Sequence, residues 1–341
     1  MSRDLISRPY GRFYHIPRLL ALSGHSCTVL LLNYKNEPEE TTEIHGIQFI
    51  SINTGYIPAR KYIRKASSII DSENIDCVIG FSDTYYGILA QYLASKHDIK
   101  SIIDAYDNFE SYLNWLKPLH SLWRRATRKA THITVAGPGL ADLMAKSRPD
   151  HTATIVPMAA DPEFKPETKN CRSGFDLPED KKIIGYCGSI SSSRDIGILF
   201  EAFSIVKETL PDAILALSGR LDNSISLPPD CIWLGYLPDD KMPDLMNSLD
   251  LLVVVLKPGD FGDFSYPVKL YEALATSTPV IATDTPATRW ILDNNEKVLV
   301  QAFNKRALAN SITRNIQNPD IQPGKPGWNE AASIYNKLIE S

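Results

Sequence analysis

No apolar run in these 341 residues reaches the roughly 18–20 positions that a membrane-crossing helix needs. The opening stretch, MSRDLISRPYGRFYH, has no apolar core and does not read as a secretory leader. Cysteine is sparse. The five are Cys27, Cys77, Cys171, Cys187 and Cys231, and none are spaced as C-x-x-C, which argues against a zinc knuckle or a redox pair. Cys27, Cys77 and Cys187 lie in apolar, strand-like runs, where cysteine acts as a small core residue. This usage suits a reducing cytoplasm. No histidine occurs after His151, and none of the earlier ones pair at metal-ligand spacing. There is no G-x-G-x-x-G and no Walker loop, so NAD or ATP use has no motif behind it. No D-x-D run closes a strand in the second half, so a metal-held diphosphate is not expected. The formal net charge of −4 gives no sign of nucleic-acid binding.

What is present is the balance of a soluble globular protein, 43% hydrophobic and 22% charged, long enough for two domains. Short apolar runs alternate with longer amphipathic stretches, the pattern of βα units around parallel sheets. The first half has runs at 26–32, 76–81, 101–104, 132–136 and 152–157, and the second at 182–188, 213–219, 231–237, 251–257, 279–283 and 297–301. Near-continuous apolar strands imply helices on both sheet faces. The expected fold is α/β, with two doubly wound Rossmann-like domains facing across a cleft. Their bounds are 1–160 and 183–325. The polar, Pro-rich segment 161–182 is expected to link them. The tail 326–341 reads as an amphipathic helix anchored by Trp328, Ile334 and Leu338, expected to return to the first domain.

Two segments carry chemistry. In SYPVKLYEALATSTPVIATD (265–284), Pro267 suits a helix start, and Val268, Tyr271, Leu274 and Ala275 form an apolar stripe. Lys269 and Glu272 share another face. A cation and a carboxylate near a helix start at the carboxyl end of a sheet suit a phosphate and a ribose. The same two residues also suit a simple i,i+3 surface pair. In GYCGSISSSRDIGILFEAFSIV (185–206), a strand ends on glycine and a Ser-rich turn leads to an amphipathic helix. Such a turn can cradle phosphate with backbone N–H groups. Arg194, placed at the helix start, opposes the helix dipole, which points to an anionic partner. An ordinary capped βα loop is the alternative.

In these segments, and in AILALSGR and CIWLGYLPDDKMPDLMNSLDLLVVVLKP between them, the chain resembles the family-4 retaining glycosyltransferases of GT-B fold. The likeness covers the second half well. It reaches the first half through GRFYHIPRLLALSGHSCTVLLL and IVPMAADPEFKP. It implies transfer from a nucleotide-sugar to a sugar, lipid-linked or small-molecule acceptor, as in polysaccharide or glycoconjugate synthesis, with no cofactor and no metal. It gives Glu272 the ribose, Arg194 and Lys269 the leaving diphosphate, and Gly188 a close backbone approach to phosphate. Tyr236 and Leu237 would frame the base, and Ala273 and Leu274 would lie near the phosphate end. Two positions depart from the family pattern. Phe264 stands where the first glutamate of a pair belongs, with Asp263 beside it as a substitute, and Ser189 replaces an arginine, for which Lys269 or Arg220 would compensate.

In the first half, Asp104 and Asp107 end a strand and could orient an acceptor hydroxyl or accept its proton; both could equally cap a turn. The basic stretch SLWRRATRKATH (121–132) reads as a solvated face, with contact to anionic lipid headgroups as the second reading. A GT-B first domain opens with a strand, and only MSRDLISRPY precedes the first helix signal here. A strand of five to eight apolar residues is therefore expected in frame upstream, the alternative being a domain that tolerates the gap. Two other classes stay open: a GT-B nucleotide-sugar 2-epimerase, and a non-catalytic partner of an active transferase.

Overall fold

The computed structural model describes residues 5–33, 38–53, 58–81, 83–112, 115–149, 152–169 and 171–341. The chain divides into two compact units, Met1–Met158 with Pro326–Ser341, and Ala159–Lys325.

In the first unit, helix α1 (Arg12–Leu22) leads into β1 (Thr28–Asn33), β2 (Glu40–Ile44) and β3 (Ile47–Asn53). There follow α2 (Pro58–Glu73), β4 (Cys77–Gly80), α3 (Thr84–His97) and β5 (Lys100–Ala105). Then come α4 (Lys117–Lys129), β6 (His132–Val135), α5 (Pro138–Ser147) and β7 (Thr154–Ile155). The strands form two sheets, β1-β3-β2 and β4-β5-β6-β7. The sequence reading passes over β2 and β3. β2 is polar and joins as an antiparallel edge. β3 buries Ile47, Phe49 and Ile52 while Gln48 faces solvent. With Ile50 these buried residues lie on both faces, and Gln48 and Ser51 interrupt the continuous apolar run expected of a parallel sheet.

Local signals set the helix ends. Asp83 caps α3 by accepting the Tyr85 N–H at 2.9 Å, and Asp98 closes it in the left-handed region, where Asp is among the tolerated residues. On α4 the buried positions are Leu119, His120, Trp123, Ala126 and Thr127, one stripe of an otherwise basic helix.

The second unit runs β8 (Lys182–Cys187), α6 (Ile196–Thr209), β9 (Ala213–Ser218), β10 (Cys231–Trp233), α7 (Met242–Ser248) and β11 (Leu251–Val254). It continues with α8 (Val268–Ala275), β12 (Val280–Thr283), α9 (Pro286–Ile291), β13 (Leu299–Val300) and α10 (Lys305–Gln317). The sheet is wholly parallel in the order β10-β9-β8-β11-β12-β13, a doubly wound arrangement whose order reverses between β8 and β11. β11 and β12 are buried along their whole length, as strands covered on both faces must be. Leu199, Phe203 and Val206 of α6 pack with Leu308 and Ile312 of α10 beneath the sheet.

The segment 161–182, expected to link the domains, is fastened to the second unit. The Arg172 guanidinium donates to the Asp250 carboxylate at 2.6 Å and to the Ser248 carbonyl at 3.1 Å. The Asn247 carboxamide bonds Lys165 O and Glu167 N. Residues 159–160 also belong with the second unit rather than the first. Of the cysteines, Cys171 is the buried one, while Cys27, Cys77 and Cys187 are half-buried. The tail forms α11 (Trp328–Glu340), which sits in the first unit against α1, with the Trp328 and His15 rings stacked 6.0 Å apart.

Candidate functional site

Ligands of doubly wound sheets bind beyond the carboxyl ends of the strands, at the point where strand order reverses. In the second unit that point lies between the turn after β8 and the loop after β11. The β8 turn is built by backbone. Gly188 N–H donates to Ser218 O at 2.9 Å and Ile190 N–H to Arg220 O at 2.9 Å. A Cβ on Gly219, whose φ is +139°, would lie 1.8 Å from Gly188 O, so only glycine lets the two chain ends cross. The Gly188 N–H is thus spent inside the sheet. A Cβ there would stand 3.2 Å from the Tyr186 hydroxyl oxygen. The N–H of Ser189 makes no hydrogen bond among the described residues and remains available, while its carbonyl accepts the Tyr186 hydroxyl at 2.9 Å.

Arg194 lies on a short 3-10 turn two residues ahead of α6, not at the helix start, because Asp195 breaks the path with a φ of +57°. Its guanidinium sits over the Phe261 ring, 4.6 Å from the centroid, a cation–π contact that fixes a long side chain. Ser193, Arg194 and the loop Leu256–Gly262 enclose a cavity of about 220 Å³. A Cβ on Gly262 would fall 2.0 Å from Lys257 O, so the tight fold of this loop also requires glycine. Asp263 and Phe264 leave the same loop half-buried, with Asp263 N–H bonded to Gly259 O at 3.0 Å and Phe264 N–H to Phe261 O at 3.3 Å. The Asp263 carboxylate has no partner among the described residues. Phe261 and Lys257 were not singled out from sequence; the two glycines of LKPGDFGDF were the available signal.

Helix α8 begins after Pro267, which sits at the cap in extended conformation. The Lys269 ammonium donates to Glu272 Oε2 at 2.7 Å, and the Glu272 side chain is only 8% exposed. Burial raises the Glu272 carboxyl above the ordinary carboxylate range. Lys269 offsets part of that rise, and the negative charges of Asp161 and Asp239 push it slightly further up. Glu272 Oε1 makes no hydrogen bond among the described residues. The Cys187 thiol, at the end of β8, feels both charges and is pushed up to about 12, chiefly by burial. Ala273 and Leu274 are buried and lie beyond the first turn of α8. Their N–H groups therefore belong to the helix ladder and cannot reach a phosphate. The free N–H groups of the helix are those of its first turn.

At the β9 and β10 ends, the Arg220 guanidinium lies 5.7 Å from the centroid of the Tyr236 ring. Tyr236 is 47% exposed, and Leu237 beside it is half-buried. An exposed ring against a cation offers a flat surface to a planar base.

In the first unit, Asp104 does not face an acceptor. It accepts from Arg12 at 2.8 Å and from Thr134 at 2.7 Å, with both side chains of the ion pair fully buried. Burial raises its carboxyl, against the opposing pull of Arg12. This is a structural pair, and Asp104 is withdrawn as an acceptor base. Asp107 is half-buried. One oxygen accepts the Asn108 N–H at 2.8 Å and the other the Tyr112 hydroxyl, so it caps a turn and keeps only a partly exposed face. On α4, Arg124 is bound to Glu110 at 2.9 Å, while Arg125, Arg128 and Lys129 point to solvent. Among the described residues, no three His, Cys, Asp or Glu side chains gather as a metal site, and no helix is long and apolar enough to cross a membrane.

Comparison with known proteins matches both halves. Residues 13–164 fit the model described as Glycosyltransferase Family 4, and residues 168–330 the model described as Glycosyl transferases group 1. A Bacillus subtilis protein named as a teichuronic acid biosynthesis glycosyltransferase, TuaC, is 26% identical over 149 residues, 43% of this chain and 36% of that one. Mannosylfructose-phosphate synthase of Agrobacterium fabrum is 25% identical over 129 residues, 33% of this chain and 26% of that one. The matched stretches thus span well under half the length of these curated relatives. Sucrose-phosphate synthase from Thermosynechococcus elongatus shares the fold at a TM-score of 0.78 and 16% identity, covering 96% of this chain and 91% of that one. Anabaena HepE, solved with UDP and glucose, does so at 0.69 and 12%, covering 98% and 91%. With both halves matched and the fold shared along nearly the whole chain, this protein belongs to the group 1, family 4 glycosyltransferases of GT-B type.

Proposed function

We propose that this protein transfers a sugar from a nucleoside-diphosphate sugar to an acceptor hydroxyl, with retention at the anomeric carbon and without a metal ion. The observation that carries the reading is Glu272. Its carboxylate is buried, one oxygen is held by Lys269, and the other is open among the described residues. A preset, desolvated acceptor of this kind suits the two hydroxyls of a ribose. Cations then stand where a diphosphate would follow. Arg194 borders the cavity at the switch point, and the first turn of α8 offers free N–H groups. The Tyr236 ring over Arg220 suits the base. The ligands printed for proteins of similar fold, UDP and glucose for Anabaena HepE and glucose-6-phosphate for a Burkholderia xenovorans trehalose-phosphate synthase, support a nucleotide-sugar donor and a sugar acceptor.

In the reaction, the bond from the anomeric carbon to the diphosphate oxygen breaks and the acceptor oxygen bonds the same carbon on the same face. The acceptor proton leaves with the diphosphate. The protein contributes positioning and positive potential where the charge grows, and no enzyme nucleophile is required. Titration calorimetry with UDP, GDP and dTDP in excess EDTA tests the reading. One nucleotide should bind. Glu272→Ala should weaken it about 10- to 100-fold, the loss of hydrogen bonds to a charged group. Unchanged affinity in the variant would remove Glu272 from the ribose, and binding that needs Mn²⁺ would remove the metal-free reading. Tight binding with neither transfer nor hydrolysis would favour the non-catalytic partner, which Phe264 in place of a glutamate also suits.

A further inference from the structure

Ten large hydrophobic side chains are exposed among the described residues, and five of them belong to α3, α4 and the segment just ahead of α4. Tyr85 and Tyr92 are on α3, Leu122 is on α4, and Tyr112 and Trp115 precede α4. Trp115 is 73% exposed, the most of the ten. Single apolar residues at a surface are ordinary, but a clustered set marks a contact.

The fold brings them to one surface. α3 and α4 join the successive parallel strands β4, β5 and β6, and right-handed crossovers place both helices on one face of that sheet. They pack directly on each other, since a Cβ on Gly87 of α3 would fall 2.5 Å from the Trp123 ring of α4. Gly87, Ala90 and Ala94 of α3 and Trp123 and Ala126 of α4 are buried, which leaves Tyr85, Tyr92 and Leu122 on the outer side.

The charge on this layer has one sign. Neither α3 nor α4 contains an aspartate or a glutamate. Arg125 and Lys129 follow Leu122 at helical spacing along the exposed side of α4, with Arg128 beside them. None of the three has a carboxylate partner among the described residues, and the neighbouring Glu110 is taken by Arg124. The helix dipole accounts for Arg128 and Lys129 in the last turn. It does not account for Arg125, Trp115 or Leu122. α2 is the contrast, because it exposes Arg60, Arg64 and Lys65 but no large hydrophobic side chain.

Rings with polar tips and cations on long apolar stems are the chemistry of a membrane–water interface, where rings sit at headgroup level and cations meet lipid phosphates. We propose that the outer side of α3 and α4 docks on an anionic lipid bilayer. A second copy of the chain fits less well, since a two-fold contact would set the cations against themselves. A soluble polyanion would leave Trp115 and Leu122 without a use. The chain as a whole carries a formal net charge of −4, so attraction to an anionic surface has to come from this patch. The docking is independent of the donor site.

Sedimentation with vesicles tests it. The full chain should pellet with vesicles of mixed phosphatidylcholine and phosphatidylglycerol, stay in solution with phosphatidylcholine alone, and bind less as salt is added. Arg125→Ser, Arg128→Ser and Lys129→Ser together should lower partitioning about 100-fold, the product of three similar steps. Trp115→Ser with Leu122→Ser should lower it about tenfold. Brominated lipid should quench the tryptophan emission of the unmodified chain and quench Trp115→Phe far less. All these positions are exposed, and circular dichroism would check that the variants keep their fold. Arg60→Ser, Arg64→Ser and Lys65→Ser on α2 remove the same charge and should cost at most about fivefold. An equal loss in that α2 variant would mean general electrostatics and overturn the proposal. So would failure to pellet with the anionic vesicles, equal binding to phosphatidylcholine alone, or quenching unchanged without Trp115. Binding to heparin but not to vesicles would make the partner a soluble polyanion and overturn it as well.

Discussion

Arg194 shows how one residue type is placed by context. A guanidinium ahead of a helix start is disfavoured by the helix dipole, and here it is held by the Phe261 ring instead of a carboxylate. No acid neutralises it among the described residues, so its charge is free to meet an anion. Arg194→Ala should lower kcat about 10- to 100-fold while leaving affinity for the bare nucleoside unchanged, because the charge it meets grows in the transition state. Steady-state kinetics beside nucleoside titration would check this, and full kcat in the variant would exclude leaving-group stabilisation. Asp104 is the opposite case. Asp104→Ala would strand the Arg12 guanidinium in the core, and removing one partner of a buried pair costs about 3–5 kcal/mol. Chemical denaturation should show that loss, with specific activity per folded molecule retained. A stable but inactive variant would return Asp104 to the acceptor site.

Thiols in or beside strands report on elements rather than single residues. Burial pushes Cys77 and Cys187 up to about 12, and Cys27 and Cys231 up to about 11, from an ordinary value of 9.0. Between those limits the unfolded chain has lost protons that the folded chain keeps, so the unfolded state binds fewer and stability falls as pH rises. The contribution is fully present below about pH 9 and is lost between pH 9 and 12. Denaturation at pH 8 and pH 10 should show the decline, and Cys187→Ala should shrink it. An alkaline limb unchanged in that variant would mean the thiol is solvated. α8 carries the other lesson at this scale. Its apolar stripe and its start after Pro267 were legible locally, and so was the Lys269–Glu272 pair, because i,i+3 neighbours meet on any helix. Ala273 and Leu274 follow the same local rule, since N–H groups past the first turn are already used by the helix.

At the scale of the molecule, the tail is part of the first unit's core. The Tyr335 hydroxyl shares a 2.7 Å hydrogen bond with Thr134, the Lys100 ammonium reaches Ile339 O at 2.8 Å, and Trp328 stacks on His15. Deleting residues from Pro326 onward should uncover Trp328 and Tyr335, both buried, and the Arg12–Asp104 pair behind them. Calorimetry should show the first unit's transition lowered or lost while that of Ala159–Lys325 persists. Equal loss in both units would mean that they unfold as one.

The residues by themselves determined what repeats over short distances. Alternating strand runs and amphipathic helices dictated a doubly wound second half, and the Gly- and Ser-bearing turn after β8 and the Pro-led α8 marked the carboxyl end of its sheet. These are consequences of nearest-neighbour geometry, with side-chain periods of two and 3.6 and free N–H groups at helix starts. Tertiary structure alone decided the pairings between distant residues. Arg12 meets Asp104 across 92 positions and Thr134 meets Tyr335 across 201. Phe261 lies under Arg194, and Arg172 ties its segment to the second unit. That β1 pairs only with β3 and β4 only with β5 among the described residues belongs here too. Each strand looked complete as a run of apolar residues. Whether a strand has a neighbour is a property of the sheet, set by which chain segments reach it, and no local period records that.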